Sequence, residues 1–156
     1  MKLAEALQER ADLNRIIDSL RVRLNANAIV QEGEKTLEDP QELLKELNRC
    51  TARLEDLIKR INITNCFTIV DGTSITAMIA KKDMLTTKIS VYRDFLSCAS
   101  NVAQRAKRTE IKILSTVDVA ALQKEIDDMA RDLRLIDNKI QAANWATDFP
   151  DDEDEI

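Results

Sequence analysis

Glu125, Asp128 and Asp132 recur at i, i+3 and i+7, a spacing that lines three carboxylates along one side of a helix. Oxygen ligands of this kind hold hard cations, so a Mg²⁺-dependent enzyme acting on nucleotides is one reading of the chain. Lys124 and Arg131 interleave with the three acids, and Asp128 turns away from the line joining the other two. A solvated face laced by ion pairs is therefore the competing expectation.

A second set combines Arg10, Lys82 and Asp137. Arg10 and Lys82 interrupt otherwise apolar helical stripes, each at the third stripe position of its helix. A charge that faces a core is costly unless paired. Glu55, Asp56 and Asp137 are the carboxylates expected at the same height. Such a layer is where a small anionic ligand would sit. The alternative is that both cations extend to solvent while Leu7 and Leu85 fill the core.

Other chemistry is bounded by what the chain lacks. It contains no histidine, which removes Ser-His-Asp and Cys-His catalysis, the Glu-x-x-His di-iron motif and imidazole metal ligands. Glycine occurs only at 33 and 72, so no glycine-rich phosphate loop is present. No catalytic residues and no cofactor are expected. Cys50 falls on an apolar stripe and reads as a small buried hydrophobe, while Cys66 and Cys98 lack a neighbouring group that would activate a thiolate. Arg105, Lys107 and Arg108 form a local basic patch near a helix end, where cations are favoured anyway.

These groups have to be positioned by helices. Val119, Leu122, Ile126, Met129, Leu133, Ile136, Ile140 and Ala143 alternate in steps of three and four, behind a capping Asp118. Leu43, Leu47, Cys50, Leu54, Leu57 and Ile61 do the same from Pro40 to about Ile63, with Asp39 as the cap. Ser74 opens a third helix with Ile75, Met78, Lys82, Leu85, Ile89, Tyr92, Leu96 and Ala99, expected to reach about Lys107. Leu3, Ala6, Leu13, Ile17, Leu20 and Leu24 define the first, from about Lys2 to about Asn27. The fold class is all-α: an antiparallel four-helix bundle with long heptad helices packed at shallow, coiled-coil-like angles. Two β-like runs, 28–32 and 110–114, fall in the first and third connections and could pair as a small two-stranded ribbon at one bundle end.

The bundle is expected over residues 1–147, followed by an acidic, disordered tail at 148–156. Six of the 28 acidic residues lie in that tail, leaving 22 acids against 23 bases upstream. Without a basic excess, neither nucleic acid nor an anionic membrane is an expected partner. Trp145, just before the tail, is expected to close the end of the core. Three unpaired cysteines, no apolar leader and no apolar run of spanning length point to the cytoplasm. The Asn62-Ile63-Thr64 sequon is then a chance match.

Several runs carry a family resemblance. Met1-Lys2-Leu3-Ala4-Glu5-Ala6-Leu7, Glu9-Arg10-Ala11-Asp12-Leu13, Val30-Gln31-Glu32-Gly33-Glu34 and Glu38-Asp39-Pro40 begin it. Asn62-x-Thr64-Asn65, Glu110-Ile111-Lys112, Val117-Asp118-Val119, Leu122-Gln123 and Ile140-Gln141 with Asn144-Trp145 continue it over nearly the whole chain. The chain resembles a family of small uncharacterised bacterial proteins, some of them labelled septicolysin. Ala77 departs from that pattern where an acid would complete a capping box with Ser74. The resemblance implies an all-helical cytoplasmic protein and no transferable catalytic role. A pore-forming toxin, which the label suggests, is not expected from a chain this short, without an export signal or a tryptophan-rich tip.

The functional expectation is therefore a non-enzymatic helical bundle acting through protein partners, homo-oligomers included. The Mg²⁺-dependent nucleotide enzyme and a small-ligand-binding bundle stand as alternatives.

Overall fold

The computed structural model describes residues 1–101 and 112–150. Within them lie four helices: α1 (Leu3–Ala26), α2 (Pro40–Phe67), α3 (Ile75–Ser100) and α4 (Val119–Ala146). The caps follow from short acceptor side chains. Asp39 accepts from the Gln41 N–H with Pro40 in the first turn, Ser74 from the Ala77 N–H and Asp118 from the Ala121 N–H. Together α1 to α4 form the expected all-α, antiparallel four-helix bundle. Helix α1 packs most extensively on α2, and α3 on α4, with smaller interfaces between these two hairpins.

The apolar stripes are the reason for this packing. Leu3, Ala6, Leu13 and Leu20 of α1 meet Leu43, Cys50, Leu57 and Ile61 of α2 in one contiguous core with Ile75, Met78, Ile136, Ile140 and Ala143. That core joins all four helices at the end where α1 and α3 begin and α2 and α4 finish. Farther along, Ile89 and Ile126 are buried but lie outside the contiguous cluster, so each hairpin there packs mainly on itself. Leu7 and Leu85 pack against the core as half-buried side chains.

The ribbon lies elsewhere than expected. Strands β1 (Ile69–Val70) and β2 (Thr73–Ser74) pair antiparallel, Ile69 with Ser74 and Val70 with Thr73, in the second connection. Asp71 (φ 50°) and Gly72 (φ 79°) make the turn, and two positive φ angles in succession suit an Asp-Gly hairpin. Residues 28–32 are coil and turn, with Ile29 89% exposed, and 112–114 form no strand; 110 and 111 lie outside the described residues. Alternation alone does not make a strand: 28–32 and 112–114 pair as strands with no other backbone among the described residues.

Helix α2 runs to Phe67, beyond the expected stop near Ile63, because burial of Ile61 and Asn65 outweighs the weak helix preference of the Asn-Ile-Thr-Asn run. The bundle also extends past residue 147. Phe149 is 3% exposed, and Trp145, expected to close the core, is 59% exposed. Trp145 follows the buried Asn144 by one residue, about 100° of helix rotation, and so falls off the inward stripe. The acidic run from 151 onward lies outside the described residues.

Candidate functional site

The three acids of α4 do not converge. Glu125, Asp128 and Asp132 are all exposed, and Asp128 pairs loosely with Arg131 at 3.7 Å. Asp132 instead lines a groove of about 350 Å³ between the β-hairpin, α3 and α4. Its floor is Val70, Met78, Leu135 and Ile136, and Lys81 and Lys139 stand at its rim. Lys139 Nζ is held at 2.9 Å by Asp71 Oδ2. Among the described residues no three carboxylates or thiols gather in a metal-holding arrangement.

Lys82 and Asp137 meet. The Lys82 ammonium donates to Asp137 Oδ1 at 2.6 Å across the α3–α4 interface, with both side chains rather more than a third exposed. Arg10 is half-buried on α1 and takes no part in this pair. At a similar height in the other hairpin, Arg53 of α2 donates through Nε to Glu9 Oε1 at 2.7 Å. Asp56 serves Arg60 at 3.2 Å and Glu55 is exposed. Among the described residues each hairpin is thus bridged within itself, α1–α2 by Glu9–Arg53 and, more loosely at 4.0 Å, by Arg23–Glu46, and α3–α4 by Lys82–Asp137, with no shared layer through the bundle. At this depth such pairs fix register more than they stabilise.

Sequence reasoning missed the chain closure at the core end. Arg60 is 9% exposed, its guanidinium lies 4.9 Å over the Phe149 ring, and it donates to the Pro150 carbonyl. Backbone bonds join the termini: the Leu3 N–H donates to Thr147 O at 3.0 Å, and the Phe149 N–H to Met1 O at 2.9 Å. The Lys2 ammonium beside Asp148, at 2.6 Å, holds that carboxyl below its ordinary value, chiefly through the hydrogen bond. The available signal was Phe149-Pro150, an apolar pair inside an acidic run. At the other end Arg23 of α1 grips Glu38 of the α1–α2 connection and likewise lowers its carboxyl, again mainly by hydrogen bonding.

Two buried amides remain. The Oδ1 atoms of Asn65 and Asn144 are shielded from solvent and accept no hydrogen bond from the described residues. Cys50 is buried, whereas Cys66 and Cys98 are exposed, and all three are free thiols.

Helix α3 carries an exposed apolar stripe. Ala80, Met84, Val91, Phe95 and Cys98 follow one another in steps of three, four and seven, and all are exposed. Val91 comes nine residues after the inward Lys82, two and a half turns, so this stripe occupies the face opposite α4. Met84 is 65% and Val91 60% exposed. Composition alone hid this stripe behind the inward one, although both can be read by counting.

A family described as a family of unknown function (DUF6847) matches residues 10–149. The crystal structure of a functionally unknown conserved protein from Corynebacterium diphtheriae superposes with a TM-score of 0.89 at 36% identity, covering 96% of this chain and 99% of that one. No curated protein matches. Among the described residues no helix is long and apolar enough to cross a membrane.

Proposed function

The chain belongs to the DUF6847 family of unknown function, and from that premise we propose that it is a non-enzymatic bundle acting through protein contacts, self-association included. One observation carries this reading. Helix α3 is the most apolar of the four, and its apolar residues occupy two opposite faces, one against α4 and one open. A helix apolar on both sides is normally enclosed on both sides. The inward-facing ion pairs Glu9–Arg53 and Lys82–Asp137 set helix register, which accounts for them without a reaction. The free thiols Cys50, Cys66 and Cys98 fit work in the cytoplasm. Kinship with the bacterial chains labelled septicolysin is part of the reading; lytic activity is not.

Light scattering over a concentration series tests it. The reading predicts a mass above that of one chain at micromolar concentration. A strict monomer that also retains no protein from extracts of its native host would contradict it.

A further inference from the structure

The outward stripe of α3 has edges of opposite charge. On the helix, Lys81 and Lys88 fall to one side of the line through Met84, Val91 and Cys98, and Asp83 and Asp94 fall to the other. Each lies roughly 60–80° from the stripe centre at about 100° of rotation per residue. None of the four forms an ion pair among the described residues, although most charges near the helix interfaces do; Lys88 has only a contact with the Tyr92 ring, at 5.5 Å. The surface is an apolar strip with a basic edge and an acidic edge, both unmatched among the described residues.

We propose that this strip binds the same strip of a second copy of the chain, with the two α3 helices side by side and parallel, related by a two-fold axis running along them. The proposal rests on the self-association reading above and adds its surface and geometry. Charge decides the occupant and the direction. A two-fold axis along the helices brings the basic edge of each copy against the acidic edge of the other, on both sides of the contact. An axis across the helices, which makes them antiparallel, sets basic edge against basic edge and acidic against acidic. In the parallel arrangement Asp83 faces Lys88 of the second copy across the edge, and symmetry repeats the pair. Residues at the centre of the strip face their own counterparts: Met84 against Met84, Val91 against Val91 and Cys98 against Cys98.

Cys98 makes the geometry testable, because two thiols beside a two-fold axis come within disulfide reach. The experiment uses the full chain carrying Cys66→Ser, which leaves Cys98 as its only exposed thiol since Cys50 is buried. Sedimentation gives the oligomeric state, and diamide oxidation followed by peptide mapping gives the neighbour. The expected result is a dimer that diamide converts to a Cys98–Cys98 disulfide, abolished by Cys98→Ser. Lys88→Glu is expected to raise the dissociation constant about tenfold, and adding Asp83→Lys to restore it, with circular dichroism unchanged. A strict monomer overturns the inference and the self-association reading together. A dimer that gives no Cys98–Cys98 disulfide overturns the inference alone, and linkage of Met84→Cys to Cys98 would identify the antiparallel pair in its place. A dimer indifferent to Lys88→Glu overturns it as well.

Discussion

Phe149→Ala is the sharpest test of how the chain closes on itself. Phe149 is 3% exposed, beneath the Arg60 guanidinium at 4.9 Å, while its backbone N–H donates to Met1 O at 2.9 Å. Truncating a buried phenylalanine costs about 3–5 kcal/mol in a closed core. Near a chain end the neighbours collapse more easily, which argues for the lower part of that range. Losing the ring also removes a cation–π contact of about 0.5–2 kcal/mol and leaves a mostly buried Arg60 with less to cover it. The lower ends of the two ranges together give about 3.5 kcal/mol, which for a chain of this size lowers Tm by about 7–14 °C. Trp145→Ala, at an exposed site four residues earlier, is expected to cost within about 0.5 kcal/mol. Urea unfolding of both variants followed by circular dichroism measures the difference. If Trp145→Ala were the more damaging, or Phe149→Ala cost under about 0.5 kcal/mol, the closure described above would be wrong.

Three further outcomes are expected. Ile126→Ala, at a side chain 2% exposed, should cost about 2–4 kcal/mol, and Glu125→Ala on the next position within about 0.5, as urea midpoints will show. Asn144→Leu should leave the unfolding free energy unchanged or raise it, since its buried Oδ1 already accepts nothing from the described residues; a loss above about 1 kcal/mol would reveal a partner for that oxygen. Glu38 and Asp148 should titrate below their ordinary values in a carboxyl-carbon NMR series, because Arg23 and Lys2 hold the ionised forms. Their folded values are depressed, so their stabilising contribution is complete above about pH 4.5 and disappears as pH falls through the folded values; Glu38→Gln should therefore flatten part of the acid limb of the stability profile.

Much of the fold was legible because stripe residues have to find one another. The three caps, the four stripes and the order of helices followed from spacing alone, and every residue of the α4 stripe is at least half-buried. The failures share a cause. The 28–32 run alternates as a strand would, but a strand exists only with a partner, and the partner depends on how far two hairpins part. Asp71-Gly72 is a turn-forming pair by residue type, yet only the folded chain brings two short flanking pairs close enough to make a ladder. Trp145 is expected to close the core because it is a large apolar side chain just before the tail, whereas the helix phase that turns it outward is readable from its neighbours. Lys82 and Asp137 meet because the α3–α4 register sets them opposite each other, while Arg10, on a helix of the other hairpin, does not join them. The open stripe of α3 was present in the spacing too, but only burial separates an apolar face that is covered from one that is not.

Sedimentation equilibrium on three chains tests the central claim, that α3 carries the surface through which this protein associates. Val91 and Leu135 are both exposed apolar residues, at 60% and 53%, the first on the open stripe of α3 and the second on α4. Native chain and Leu135→Glu are predicted to sediment as dimers at tens of micromolar, and Val91→Glu as a folded monomer with an unaltered helical spectrum. A native chain that stays monomeric, or a Val91→Glu variant that still dimerises, would contradict the account.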